Sequence, residues 1–258
     1  MIKVNDVVIT PTIFPDGTIQ VWKLPEEVLN TSKIYWKYEN DSELIIVCQL
    51  AQLLTTPILV CPFLPYGRQD KDISNNSTFG LHTFIKLISN FFDSLQTIDG
   101  HSNVAYEICK NNNLKYYDLF PTKGIGTAIK ESACDLICFP DNGAKLRYTK
   151  TPHWSQIYNN LYSIPNFHLN KIRNQETGEI TGLSIDGDIN LSEKSILIID
   201  DICDGGRTFI EASKLLYSNG ALNVNLYVTH GIFSKGVDII NQSGINRIFT
   251  NNYELELS

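Results

Sequence analysis

The chain has 258 residues, 43% of them hydrophobic and 19% charged, with a formal net charge of -7. That length suits two ordinary domains, since single cores stop growing near ~250 residues, and the composition is that of a chain able to bury a core. The acidic balance argues against a nucleic-acid surface, which needs clustered Lys and Arg, and no segment approaches the ~20 apolar residues of a membrane span.

The N-terminal Met1-Ile2-Lys3-Val4-Asn5-Asp6 lacks the basic-then-apolar order of a signal peptide. A cytoplasmic protein with small-molecule partners is therefore expected. Leu44, Val47, Cys48, Ala51 and Leu54 recur at helical spacing, Pro57 stops the pattern, and Ile58-Leu59-Val60-Cys61 follows as a buried strand. A second stripe, Leu81, Phe84, Ile85, Ile88, Phe91 and Phe92, leads into a strand from Ser94 to Ile98 that ends at Asp99. Pro121-Thr122-Lys123-Gly124 reads as a turn separating two sets of strands, which places a domain boundary near Asp118 to Thr122. Leu136-Ile137-Cys138-Phe139 is a third buried run, ending at Pro140-Asp141. Arg173 to Gly182 is polar with two glycines and reads as a mobile hairpin tip or lid. Ile196-Leu197-Ile198-Ile199 is a fourth run, ending at Asp200-Asp201, followed by a helix from about Thr208 to Ser218 and a strand from Val224 to Val228.

Short apolar runs alternating with amphipathic helices predict parallel strands covered on both faces, with ligands beyond the carboxyl ends of the strands. Each run is followed by a polar cluster: Arg68-Gln69-Asp70, Asp99-Gly100-His101, Asp141-Asn142-Gly143 and Asp200-Asp201. Cys48, Cys61, Cys109, Cys134, Cys138 and Cys203 are scattered among apolar residues without a metal or redox spacing and are expected to be reduced core thiols.

The sharpest motif is Asp200-Asp201-Ile202-Cys203-Asp204-Gly205-Gly206-Arg207-Thr208 after a buried strand. Glycines and a Thr at a helix start present free N–H groups to an anion, while adjacent carboxylates accept hydrogen bonds from vicinal hydroxyls. The combination suits a sugar 5-phosphate. The plain alternative is that Asp204 caps the helix and the two acids are solvated turn residues. No covalent nucleophile stands out, and the G-x-x-x-x-G-K-[ST] phosphate loop is absent.

This segment resembles the PRPP-binding loop of phosphoribosyltransferases and of ribose-phosphate pyrophosphokinases (PRPP synthetases). Other stretches favour the synthetases. Phe14-Pro15-Asp16-Gly17 resembles their F-x-D-G loop, Pro65-Tyr66-Gly67-Arg68-Gln69-Asp70 their ATP loop and Asp99-Gly100-His101-Ser102 their D-L-H-A. Pro140-Asp141-Asn142-Gly143 with Arg147, Lys171-Ile172-Arg173 and Thr229-His230-Gly231 complete the series in order.

The resemblance implies an α/β protein of two phosphoribosyltransferase-type domains with largely parallel sheets, 1–118 carrying the ATP loop and 119–258 the ribose-phosphate loop and catalytic flap. It implies ATP binding by Phe14, Asp16, Arg68, Gln69, Asp70 and His101, and ribose-phosphate binding by Asp200, Asp201, Asp204, Gly205, Gly206, Arg207 and Thr208. Lys171, Arg173 and His101 would be catalytic, and His101 and Asp141 would sit at Mg2+. The implied reaction moves the β,γ-diphosphate of ATP to the C1 hydroxyl of a ribose 5-phosphoryl acceptor, in a homo-oligomer (dimer or hexamer) whose F-x-D-G loop serves a neighbour.

Departures are visible. The F-x-D-G motif begins at Phe14, so the strand and helix that usually precede it are expected to be absent. Thr18 replaces an acid, and Lys71 to Ser77 lacks the basic residues that usually follow R-Q-D, which argues against allosteric control by phosphate. Arg207 stands where a glycine is usual, and together with the shortened termini and the F-P-D-G and D-D-I-C-D-G-G-R-T stretches it resembles short phage-type members, some of which act on ADP-ribose for NAD reconstitution. ADP-ribose is thus the expected acceptor, with ribose 5-phosphate the alternative. A PRPP-consuming transferase and an inactive regulatory homologue are the other readings.

Overall fold

The computed structural model describes residues 1–72, 74, 76–154, 164–173 and 180–253, with only the backbone of 27, 173, 180 and 181. The alternation of apolar runs and stripes resolves into two units, Met1–Leu119 and Phe120–Ser258.

The first unit runs β1 (Ile2–Val4), β2 (Val7–Val8), β3 (Thr12–Ile13), β4 (Ile19–Gln20), α1 (Glu26–Leu29), β5 (Lys33–Trp36), α2 (Glu43–Ala51), β6 (Ile58–Val60), α3 (Gly80–Ile88), β7 (Ser94–Ile98), α4 (Val104–Asn111) and β8 (Lys115–Leu119). Its sheet has the order β2-β1-β5-β6-β7-β8, with β5 to β8 parallel. Trp36, Leu50, Leu59, Leu81, Ile85 and Leu95 are fully buried in its core, where the stripes of α2 and α3 meet the apolar runs. One expectation is corrected: strands do precede Phe14. Ile2 and Val4 alternate with Lys3 at the period of two that buries one face, and β1 lies antiparallel to β5 with Ile2 opposite Trp36.

The second unit runs α5 (Thr122–Ser132), β9 (Leu136–Phe139), α6 (Asn142–Thr149), β10 (Asn166–Arg173), β11 (Ile180–Ile185), β12 (Ser195–Cys203), α7 (Arg207–Ser218), β13 (Asn223–Gly231), α8 (Asp238–Asn241) and β14 (Ile245–Thr250). Its sheet, β11-β10-β9-β12-β13-β14, is parallel except for the edge strand β11. Buried side chains form separate clusters: Cys138, Ile198, Leu226 and Phe209 in one, Ile129, Phe139, Ile199 and Tyr227 in another.

Two readings change here. Pro121 is the N-cap and Thr122-Lys123-Gly124 opens α5, because Ile125, Ala128 and Ile129 bury a helical stripe and proline is at home at a helix start. Gly124 is needed there because a Cβ would collide with the Asn251 and Tyr227 side chains. The fourth apolar run does not stop at Asp200: β12 continues to Cys203 because the long β13 pairs with it as far as Gly231. The polar stretch Arg173 to Gly182 has arms that pair antiparallel, Arg173 opposite Ile180, and its tip, 174–179, lies outside the described residues. All six cysteines are buried and free. No helix among the described residues is long and apolar enough to cross a membrane.

Candidate active site

Strand register gathers the second unit's charged residues. His168 of β10 is opposite Phe139 of β9, so Lys171, three residues on, lies within one residue of the level of Asp141, two residues past Phe139. Lys171 Nζ donates to Asp141 Oδ2 at 3.0 Å. Asp141 Oδ1 accepts from the Ala144 N–H at 2.9 Å and so caps α6. Burial pushes the Asp141 carboxyl up, but the Ala144 N–H and the Lys171 cation pull it below the usual carboxylate range.

Ile198 of β12 is opposite Cys138 of β9, which carries Asp200 and Asp201 to the same edge. Arg147 is reached from α6, whose side chains lean toward the helix N-terminus and hence back over the strand ends. Its Nη2 lies 3.1 Å from Asp200 Oδ1 and 3.0 Å from Asp201 Oδ1. Two acids share this one guanidinium. Burial and the adjacent Asp201 charge hold the Asp200 carboxyl well above its ordinary range despite Arg147. The Asp201 side chain is 5% exposed and that of Asp200 18%, so they are not solvated turn residues. Carboxylates fixed in this way can accept hydrogen bonds from the hydroxyls of a sugar.

The glycine loop follows directly. The N-cap of α7 is Gly206, two residues beyond Asp204, with φ +75°. A side chain there would be strained, and its Cβ would stand 2.8 Å from Ile240 Cγ1, so glycine is required. Gly205, Gly206, Arg207 and Thr208 thereby make the strand-to-helix corner, where a helix start presents N–H groups to an anion. Arg207 does not turn into this corner. Its side chain is 85% exposed and Nε pairs with Glu211 Oε1 at 2.8 Å, one turn along α7. Of Lys171-Ile172-Arg173, Lys171 reaches Asp141, while the Arg173 side chain lies outside the described atoms.

In the first unit the candidates occupy two loops and a hairpin. Phe14 to Thr18 is the tip of the β3–β4 hairpin. Thr18, where an acid is usual, donates its N–H at 3.0 Å and its hydroxyl at 2.7 Å to Asp16 Oδ1, and these bonds hold Asp16 below the usual carboxylate range. Phe14 packs against Trp22, ring centroids 6.3 Å apart. Arg68 and Gln69 are exposed and Asp70 half-buried in the turn after β6. That turn is fastened by Tyr66, whose hydroxyl donates to Asp41 at 2.5 Å, and by the Gln69 carbonyl, which accepts from the Leu81 N–H at 3.2 Å. His101, half-buried, follows β7 after Asp99 (φ +53°) and Gly100, whose N–H donates to Asp118 Oδ1 at 2.8 Å.

Nothing local in the sequence marks the pairing of Arg147 with acids 53 and 54 residues away. Asp118, which accepts from the Gly100 N–H, has only its place near the end of β8 to mark it in the sequence.

Residues 160–255 match the family model for the phosphoribosyl synthetase-associated domain. The ribose-phosphate pyrophosphokinase of Pyrococcus abyssi is 28% identical over 95% of this chain and 84% of its own length. The similarity to ribose-phosphate pyrophosphokinases thus runs over nearly the whole of this chain. The pyrophosphokinase of Saccharolobus solfataricus is also 28% identical, over 84% of this chain and 74% of its own. The fold agrees: the crystal structure of the Mycobacterium smegmatis phosphoribosylpyrophosphate synthetase superposes with a TM-score of 0.72 at 19% identity, covering 93% of this chain and 78% of that one. Among the described residues, the best-assembled cluster of charged side chains is the one at the ends of β9, β10 and β12.

Proposed function

We propose that the protein is an ATP-dependent diphosphokinase acting on a ribose that carries a 5-phosphoryl group. The observation that carries this reading is the convergence at one sheet edge of a shared-cation acid pair, a glycine phosphate corner and a lysine. In the proposed step the acceptor's C1 oxygen forms a bond to the β-phosphorus of ATP as the bridging bond to the α-phosphorus breaks. AMP leaves, and the hydroxyl proton goes to solvent or a nearby base.

Asp200 and Asp201 would accept the ribose hydroxyls, and the corner from Asp204 to Thr208 would hold the 5-phosphoryl group. Lys171, with Arg173, would stabilise charge developing on the transferred diphosphate, where fixed cations contribute most of the catalysis. Asp16, Phe14, Arg68, Gln69, Asp70 and His101 are proposed to serve ATP. The Thr18 bonds that hold Asp16 in its own turn would change how that carboxylate meets an adenine.

Magnesium fits the donors present. Among the described residues no three His, Cys, Asp or Glu side chains form a protein cage. Mg2+ in phosphoryl transfer is held mainly by substrate phosphates and one or two carboxylates, and Asp141, with 41% of its side chain exposed, is a donor of that kind. When bound, the metal would neutralise the triphosphate.

The names of the relatives favour ribose 5-phosphate as acceptor. ADP-ribose is the second reading, favoured by Lys235, whose side chain lies beside Gly205. An ATP-to-AMP assay with both acceptors, read by mass spectrometry, tests the reaction. Diphosphorylated acceptor and AMP in equal amounts are expected, with Asp200→Asn or Asp201→Asn raising the acceptor KM. Failure to form AMP with any ribose acceptor, or an unchanged KM in both variants, would refute the assignment.

A further inference from the structure

The turn after β13 carries a cation with no role in the site described so far. The backbone N–H groups of Ile232 and Phe233 donate to the Cys203 carbonyl at 2.8 and 3.1 Å, tying this turn to the residue just before the phosphate corner. Gly236 (φ +80°) closes it with an N–H bond to the Phe233 carbonyl at 2.8 Å. Lys235 is thereby laid along the corner: a Cβ on Gly205 would stand 3.7 Å from its Cδ, 3.6 Å from its Cε and 4.0 Å from its Nζ. Lys235 is exposed and has no ion-pair partner among the described residues, whereas Arg207 is engaged by Glu211. Of Arg207 and Lys235 beside Gly205-Gly206, the one with no carboxylate partner among the described residues is Lys235.

We propose that Lys235 is a specificity-determining residue that receives the second phosphoryl group of a ribose 5-diphosphate ester, of the ADP-ribose kind, in preference to a ribose 5-monophosphate. The inference rests on the proposed diphosphokinase reading and deepens it. A corner of backbone N–H groups with one Thr hydroxyl is the size of a single phosphoryl group, and a monoester spends all its charge there. A diphosphate ester places a second anionic centre one bridging oxygen further out. A flexible ammonium lying along the outer side of Gly205 can follow it. Arg207, the cation that the sequence alone singles out beside the corner, would have to leave Glu211 to do the same.

The test measures binding of ADP-ribose and ribose 5-phosphate by calorimetry, without ATP, to the wild-type protein, Lys235→Gln and Arg207→Gln. ATP-to-AMP turnover is followed in parallel. Lys235→Gln is expected to weaken ADP-ribose about three- to tenfold, the range for a charge-assisted contact screened by solvent, and ribose 5-phosphate less than about twofold. Arg207→Gln should change neither by more than about twofold. Because Lys235 is exposed, the variant should melt with the wild type. Equal weakening of both ligands, no weakening of either, or tighter wild-type binding of ribose 5-phosphate overturns the proposal. Selective weakening without any AMP formed would leave Lys235 as a diphosphate reader and overturn the diphosphokinase reading instead.

Discussion

The edges of the two sheets solve the same problem in opposite ways. In the second unit Asp141, Lys171, Arg147, Asp200 and Asp201 are paired with one another before any ligand arrives. In the first, Arg68 and Gln69 stand exposed on a turn, and Asp16 is held by its own hairpin. The difference follows from burial. Charges withdrawn from water must find a counter-charge or give up their ionisation, while exposed loop groups are hydrated and can be shaped by local hydrogen bonds alone. The second unit's strand ends are therefore prearranged by long-range ion pairs, and the first unit's loops by turn geometry.

Removing the shared cation should disturb this contrast most visibly. Arg147→Met leaves Asp200 and Asp201 close together without their guanidinium, and urea denaturation should show a loss of about 3 kcal/mol. Arg68→Met, on the exposed turn, should stay within about 0.5 kcal/mol of wild type. Similar losses in both would mean that burial does not separate the two edges.

Next in size is Lys171→Ala. Turnover should fall about a hundredfold with ATP affinity nearly intact, because charge stabilisation that matures in the transition state affects rate more than ground-state binding. Steady-state kinetics beside ATP titration separates the two, and turnover within a few-fold of wild type would remove Lys171 from the mechanism.

The glycine corner offers a finer contrast at neighbouring positions. Gly206→Ala meets both a left-handed backbone and Ile240, for a loss of about 2 kcal/mol by thermal or urea melts. Gly205→Ala meets only ordinary contact with Lys235 and should cost less than about 1 kcal/mol. Equal losses would show that the corner can relax.

The least change is expected from pH. Asp200 titrates above the ordinary 3.8, so as pH rises past that value the folded state keeps a proton that the unfolded chain gives up, and this group's contribution to stability declines until its folded pKa is passed. Asp200→Asn should therefore gain on the wild type as pH rises. Asp141 is shifted downward, so its contribution is present above 3.8 and lost as pH falls through its folded pKa. Asp141→Asn should be destabilised at neutral pH and converge on the wild type in acid. Melting curves between pH 3 and 7 that move the same way for both variants would contradict these assignments.

Elements whose burial is nearly complete were legible in the amino-acid order alone. Ser94–Ile98 and Leu136–Phe139 could be read to the residue, and the α7 stripe to within one, because a strand covered on both faces or a helix with one apolar face writes its period into the chain. The glycine corner and the acids beside it were equally plain, since their chemistry is carried by neighbours in sequence. Elements at the margin were not legible: β8 exposes Tyr117 at a sheet edge, α6 buries only Ala144 and Tyr148, and α5 opens on residues that also make turns. Which charges meet was settled by folding. Arg147 finds Asp200 across 53 residues, Lys171 finds Asp141 across 30, and Lys235 comes to Gly205 because β13 runs beside β12 to its end. Parallel strand register, set by the apolar runs, brings the strand ends together, so no local pattern could announce it.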